Sequence, residues 1–435
     1  MDHTLVKALR DTVAESLRAE RRQRAERGKP LLPEDARQYA RALIISALQD
    51  HRLDNLGQRG GALPEAETDA EIARAVHALL FGLGRLQPLL ENENVANIEI
   101  NGADRVWLHL DDGRVVPGPP VADSDAELVE LVRTAAAYNG LSSRPFDPVN
   151  PWLEMRLPDG SRLCALMSVV DRPAISIRCF RLQRVFLDDL YARGAFTPQV
   201  GGFLRAAVLA KMNLMISGET FAGKTTLLRA LGNVIEPEER LVTAEHFFEL
   251  GFQHFPDLHR DVVAMEERLA NAEGVGAMSM LELVERSRRM NPDRMIVGEV
   301  IGVEIVAMLD AMTQGNDGSL STIHARNSLM VFQRIATYAL KSDQRLPIQA
   351  SHLLTAGALD FIVHIAKRRT ADGTVQRYVA SVREVAGYDG QQVVSSEVFG
   401  CRDPASMTAY AAAPISETRA RALEATGYVS SQWAA

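Results

Sequence analysis

Cysteine is scarce in this chain: Cys164, Cys179 and Cys401 are the only three in 435 residues, widely spaced, with no C-x-x-C pair and no zinc-ligand pattern. A disulfide-stapled or zinc-built domain is thereby excluded, and a reducing cytoplasm is the natural home. Long apolar runs are missing too. No stretch of about 18 apolar residues occurs, and the N-terminus lacks the apolar core of a signal peptide, so the expectation is a soluble cytoplasmic protein that docks on a membrane without spanning it. Nor is there an excess of positive charge. Forty-eight basic residues against 56 acidic leave a net charge of −8, which argues against coating nucleic acid by bulk charge, so no direct nucleic-acid binding is expected. The apolar share of 46% is ample for the cores of two or three domains.

What the chain does have is Gly218-Glu219-Thr220-Phe221-Ala222-Gly223-Lys224-Thr225-Thr226, which fits G-x-x-x-x-G-K-[ST]. An apolar run, Met212 to Ile216, precedes it as a buried strand, and Lys224 to Leu231 follows as a helix, the context a phosphate loop demands. Two glycines let the backbone curl so that successive amides point into one concavity at the positive end of a helix. Lys224 adds a mobile charge for the β- and γ-phosphates, and Thr225 offers a hydroxyl to Mg²⁺.

Along the chain, residues 1–50 read as helix, with an apolar stripe of Leu5, Leu9, Val13 and Leu17 that dissolves into arginines. Pro33 opens a second helix through Leu48, Gly57 to Pro64 reads as a linker, and a third helix runs from Thr68 to Phe81. Short alternating segments follow: Ala96–Ile100 and Arg105–Leu110 around Asn101-Gly102, then Leu153–Leu157 and Arg162–Met167 around Pro158-Asp159-Gly160, then Ala174–Arg178. Between them Ser124 and Glu127 open a helix that Asn139-Gly140 ends. This stretch predicts an α+β domain with an antiparallel sheet.

From about Leu187 the elements alternate: helix to Lys211, strand Arg240–Ala244, helix Ser279–Met290, strand Met295–Val297, helix Gly302–Gln314, strand Ser319–His324 and helix Ser328–Lys341. Alternation of this kind predicts a mainly parallel sheet covered by helices, with ligands at the carboxyl ends of the strands. Phe361–Lys367 and Thr374–Val385, joined by Asp372-Gly373, predict a further hairpin, and beyond about Cys401 the alanine-rich tail carries no signal.

Three polar residues stand where such a site needs them. Glu299 follows the apolar strand Met295-Ile296-Val297-Gly298, in position to order Mg²⁺ or polarise the attacking water. Glu245 ends the strand after the phosphate-loop helix and is a second candidate for the water. His324 closes Ser319-Leu320-Ser321-Thr322-Ile323, on the edge that lines the nucleotide, and suits sensing of the γ-phosphate by hydrogen bonding. His254 and His259 share a proline-containing loop with no third ligand nearby.

The run from Gly223 to Leu231, then NPDRMIVGEV (291–300) and GNDGSLSTIHA (315–325), resembles the secretion and pilus-assembly ATPases of the type II/type IV superfamily, with the CpaF-like branch of tight-adherence (Tad) pili nearest. GLGRLQPLL (82–90), IEING (98–102), RLPDGSRL (156–163) and ISIRCF (175–180) extend the resemblance over roughly residues 70–390. It implies an α/β fold: a RecA-like phosphate-loop motor domain (187–400), a smaller α+β N-terminal domain (67–186), a helical extension and linker (1–66) and a C-terminal tail (401–435). It also implies ATP and Mg²⁺ as ligands, a homo-hexameric ring, and inner-membrane pilus or secretion platform proteins as partners. The family's Asp box falls on Glu245 with Glu249-Leu250, its Walker B acid on Glu299 and its His box on His324. Arg156, Arg162 and Arg178 stand at the strand motifs from which N-terminal-domain arginines approach the phosphates.

The chain departs from that pattern at three places. His246 follows Glu245 where an acid is usual, Ile301 stands where an arginine is usual, and Phe221 is bulky for its position in the loop. The expectation is a hexameric ATPase at the inner face of the cell membrane that powers pilus assembly or secretion. Two alternatives stand beside it: a conjugation-type ATPase exporting DNA or protein, and a nucleotide-binding scaffold or switch with negligible turnover.

Overall fold

The structure, a computed structural model, describes residues 3–29, 31–59, 66–138, 145–181, 184–271, 273–370, 373–402 and 406–429. The chain forms two compact units, Met1–Arg181 and Leu182–Ala435.

The first unit opens with three helices, α1 (His3–Glu26), α2 (Pro33–Arg59) and α3 (Ala66–Phe81). Val6, Leu9 and Val13 recur every three or four residues on α1 and meet Ile44 and Leu48 of α2 and Val76 and Leu80 of α3 in a small core. The apolar stripe is thus shifted by one residue at its start, since Val6 is buried and Leu5 only partly so. Gly28, at φ 70°, ends α1, with the Lys29 N–H returning to Arg24 O at 3.0 Å. The second helix runs on past Leu48 and carries Gly57 inside it. The rest of the expected linker, residues 60–64, lies outside the described residues.

A short helix α4 (Gln87–Glu91) leads into β1 (Val95–Asn101), β2 (Val106–Leu110), β3 (Val115–Pro117), α5 (Asp125–Tyr138), β4 (Trp152–Arg156), β5 (Arg162–Leu166) and β6 (Ala174–Arg178). The strands form one antiparallel sheet in the order β3-β2-β1-β6-β5-β4. Alternation decides which face is buried: Ile98 and Ile100 of β1 and Ile175 and Ile177 of β6 point to the core, where Leu128 and Val132 of α5 cover them. Gly102 and Gly160 make the two turns at φ 85° and 89°, where any side chain would be strained. Ser124 accepts from the Glu127 N–H at 3.2 Å, while Glu127 reaches back to the Asp123 N–H at 2.8 Å, past the Ser124 N–H that a reciprocal capping box would use. Asn139-Gly140 lies outside the described residues.

In the second unit α6 (Leu187–Ala192) and α7 (Pro198–Leu209) precede β7 (Leu214–Gly218) and α8 (Lys224–Gly232). The alternation continues with β8 (Arg240–Glu245), β9 (Asp261–Glu266), α9 (Met280–Ser287), β10 (Arg294–Val300), α10 (Glu304–Met312), β11 (Leu320–His324) and α11 (Met330–Lys341). It closes with α12 (Ile348–Ala358), β12 (Phe361–Arg369), β13 (Val375–Tyr388), β14 (Val393–Cys401), β15 (Ala409–Ala411) and α13 (Glu417–Glu424). The nine strands lie in the order β15-β14-β13-β12-β7-β11-β10-β8-β9. From β12 to β9 neighbours are parallel; from β12 outward to β15 they are antiparallel. Phe203 and Leu204 of α7 and Leu227 and Leu231 of α8 cover one face, and Leu283, Ile305, Met308 and Ile335 of α9–α11 the other. Every residue of β7 is consequently buried, as a central parallel strand requires. Gly373 turns the β12–β13 hairpin at φ 86°, and Asp372 lies outside the described residues.

Residues 401–435, a stretch without signal in the sequence, contribute β15 and α13 to this same unit. Leu423 of α13 is fully buried, and Tyr428 packs edge-on to Phe203 at 6.1 Å. Arg419 holds Asp360 Oδ1 at 2.9 Å and Glu384 Oε1 at 3.1 Å, while Asp360 Oδ2 accepts from the Asn213 N–H, just before β7, at 2.9 Å. Among the described residues no helix is long and apolar enough to cross a membrane.

Candidate nucleotide site

At the carboxyl edge of the parallel sheet, β7 runs between β11 and β12, so that Gly218 faces His324 on one side and Ile365 on the other. A methyl group on Gly218 would lie 2.5 Å from Ile365 O, so only glycine lets the strand turn here. The loop Glu219–Gly223 follows. Gly223, at φ 95°, is the N-cap of α8 and permits the turn into it. Phe221 has φ 61°, a left-handed conformation that costs an L side chain about 1–2 kcal/mol, and its ring is exposed. Glu219 and Thr220 are also exposed, Ala222 is buried, and Thr225 and Thr226 sit half-buried in the first turn of α8.

Lys224 is only 7% exposed. Its Nζ donates to Glu219 O at 3.1 Å and lies 3.1 Å from His324 Nδ1. His324 Nε2 stands 2.8 Å from Glu299 Oε1, which is also 3.9 Å from Lys224 Nζ. Three residues from β11, β10 and α8, distant in sequence, thus meet in one cluster. Burial on its own raises the Glu299 pKa, but the bond and charge of His324 and the charges of Lys224 and His246 outweigh it and hold the carboxyl below its ordinary value. An ionised carboxylate beside a helix N-terminus with a buried ammonium suits a magnesium-bound triphosphate. The curled loop, which no side chain at Gly218 or Gly223 would permit, supplies the cradle. A cleft of about 710 Å³ opens beside the loop, lined by Glu219, Thr220, His324, Arg326, Arg334 and Lys367.

Glu245 sits apart from that cluster in its bonding. Its Oε2 accepts from the Glu249 and Leu250 N–H groups at 2.7 and 2.8 Å, and its Oε1 from Thr243 Oγ1 at 3.4 Å. The side chain is 2% exposed, and burial, only partly offset by the two amides, pushes its pKa up to about 7. In this structure Glu245 therefore fixes the loop 246–250 instead of presenting its oxygens to a water. His246 Nδ1 pairs with Glu267 Oε2 at 2.5 Å. Glu304 accepts from the Ile301 and Gly302 N–H groups at 2.7 and 2.8 Å and so turns the chain after Glu299.

In the first unit the three arginines stand side by side. Arg156 faces Arg162 across β4–β5, and Arg162 faces Arg178 across β5–β6. Directly opposed residues project from one face of a sheet, so the three guanidinium groups share a face. Glu154 pairs with Arg162 there. His259 is buried, with Nε2 2.9 Å from Asn233 Oδ1 and its pKa lowered to about 4 by burial, the environment of a core residue. No group of three or more metal-ligating side chains occurs among the described residues. Sequence reasoning missed Glu304, Glu267 and two cations that touch the loop, Lys367 and Arg377. The E-x-x-x-x-E spacing of Glu299 and Glu304 is a signal that was there to be read; for Lys367 and Arg377 none exists.

Residues 81–426 match the family described as type II/IV secretion system protein. A putative conjugal transfer protein of Mycobacterium tuberculosis is 32% identical over 72% of this chain and 88% of its own length. The type IV secretion system protein PtlH of Bordetella pertussis is 28% identical over 69% of this chain and 93% of its own. Among solved structures, the ATPase DotB of Yersinia pseudotuberculosis overlaps 74% of this chain and 80% of its own, at 15% identity and a TM-score of 0.49. With about four-fifths of its residues matched, Gly218–Thr226 and His324 among them, the chain belongs to the type II/IV secretion system protein family.

Proposed function

We propose that the chain is an ATP-hydrolysing motor of a secretion or pilus-assembly system, its second unit a RecA-like motor domain. The observation that carries this is the meeting of Lys224, His324 and Glu299 at the mouth of the phosphate loop. In this reading the loop from Gly218 to Thr226 and the Lys224 ammonium hold the β- and γ-phosphates of ATP. Thr225 and Glu299 would hold Mg²⁺, which when bound neutralises phosphate charge. Glu299 orients the attacking water and draws its proton. His324, now bonded to Lys224 and Glu299, exchanges partners when a γ-phosphate arrives and so reports its presence. Glu245 acts at one remove, by fixing the loop that carries His246. Arg156, Arg162 and Arg178 would add cationic stabilisation of the transition state, an effect of ~10³–10⁵ where such arginines engage.

Motif order over most of the chain supports a homo-hexameric ring at the inner face of the cell membrane, working on platform proteins of a Tad-like pilus or a secretion system. The names of the relatives favour a second reading, a conjugation-type exporter. A scaffold with negligible turnover is the third, favoured by His246 at an acid's usual place. Calorimetry with Mg-ATP, phosphate release at steady state and molar mass on the same sample separate motor from scaffold. A ring that binds ATP and releases phosphate is expected; binding without release would leave only the scaffold.

A further inference from the structure

The phosphate loop is gripped by two cations that belong to no phosphate-loop motif, one of them, Lys367, also lining the cleft beside it. Lys367 of β12 donates from Nζ to Thr220 O at 2.7 Å, and Arg377 of β13 donates from Nε to Phe221 O at 3.2 Å. Both come from one hairpin, whose first strand runs beside β7 with Ile365 opposite Gly218. The approach is close: a methyl group on Gly223 would lie 3.3 Å from Arg377 Cδ.

A peptide unit is planar and trans, so its C=O and N–H point in opposite directions. A cation fixed on Thr220 O therefore aims the Phe221 N–H away from the hairpin. A cation on Phe221 O does the same for the Ala222 N–H, which closes a turn onto Glu219 O at 3.2 Å. Between the two peptides stands Phe221 itself, held at φ 61° with its ring 5.9 Å from Lys367 Nζ. A bulky residue stays in that conformation only where its surroundings over-determine it. Here the hairpin supplies the constraint.

We propose that Lys367 and Arg377 are positioning residues for nucleotide binding: the β12–β13 hairpin clamps the left-handed Phe221 and so pre-sets the backbone of the loop for a triphosphate tail. This rests on the nucleotide-binding reading above. The two cations touch loop carbonyls, so their part is to lower the ordering cost of binding, and their loss shows in affinity and not in the chemical step.

The test uses the full chain with Lys367→Met and Arg377→Met, measuring Mg-ATP affinity by calorimetry and kcat and KM by phosphate release. Each variant is expected to raise Kd and KM roughly tenfold. The kcat stays within about twofold and the melting temperature is unchanged. Lys367→Arg and Arg377→Lys restore most of the affinity, because a carbonyl accepts from either cation. In a Phe221→Gly background, where glycine adopts the conformation without strain, the Arg377→Met effect falls below roughly threefold. Unchanged affinity in both methionine variants overturns the clamp. So does an equal loss in the glycine background, which would make the cations a plain electrostatic contribution. Failure of the wild type to bind Mg-ATP would instead sink the functional reading, and the clamp with it.

Discussion

His324 bridges Lys224 and Glu299: its Nε2 is 2.8 Å from the Glu299 carboxylate and its Nδ1 3.1 Å from the Lys224 ammonium. The imidazole thus engages both the ammonium proposed to hold phosphate and the acid proposed to prepare the water. A triphosphate that draws Lys224 away changes the partners of His324 and Glu299 together.

Glu299→Gln keeps an oxygen for His324 and removes the charge. Mg-ATP affinity is expected to stay within about threefold of wild type while kcat drops by roughly 10²–10⁴. Calorimetry and phosphate release on the same preparation check both halves, and unchanged turnover would remove Glu299 from the proposed chemistry.

The His246–Glu267 pair makes stability depend on pH. Burial pulls the His246 pKa down, but the bond and charge of Glu267, with the charges of Glu304 and Glu299, more than compensate and leave it above 6.5. A histidine raised in the folded state contributes stability that is complete below pH 6.5 and fades as pH climbs through the folded value. The melting-temperature gap between wild type and His246→Gln should therefore be widest near pH 6 and narrow toward about pH 9. A gap that does not change with pH would show that the charge of His246 contributes nothing.

Much of the second unit was legible because its central strands are short, largely apolar or β-branched runs between helices that carry strong apolar faces. Strands β7, β8, β10 and β11 fall where the sequence places them, to within a few residues. The strand β9 escaped because its apolar run, Val262–Met265, is only four residues long between Asp261 and Glu266, and as an edge strand it is nowhere fully buried and shows no alternation. Helix α13 escaped because Glu417–Glu424 is mostly charge and alanine, with Leu423 the only residue fully buried. In the site, the motif residues and the Glu299 and His324 strand ends could be read. The placement of Glu245 could not: an acid after a strand looks the same in sequence whether it faces a ligand or caps its own loop.

Arg294 was read only as part of a motif, yet it is 1% exposed and holds Glu239 with two bonds at 2.8 and 2.7 Å and Val208 O at 2.7 Å. Arg294→Ala leaves a buried carboxylate and a carbonyl without this partner, and is expected to cost about 3–5 kcal/mol in urea unfolding. A cost under about 1 kcal/mol would mean that Lys211, 3.1 Å from Glu239, compensates alone.

Leu423→Ala tests whether the last helix belongs to the core of the second unit. Its side chain is fully buried against the α7 face of the sheet, so the expected loss is about 2–5 kcal/mol in the same assay. An unchanged midpoint would make α13 a detachable appendage.

The strand β7, which leads into the Gly218–Thr226 loop, is flanked on one side by β12, and the Lys367–Thr220 bond spans 147 residues of chain. A ribosome making this protein therefore releases a β7 whose open edge waits, at ~5–20 residues per second, about seven to thirty seconds for its neighbour to emerge. During that interval an apolar, unpaired edge is on offer to any other nascent chain. Fragments ending before Arg369 should accordingly precipitate or stay with chaperones, and the yield of active protein should rise when translation is slowed less than cooling slows aggregation.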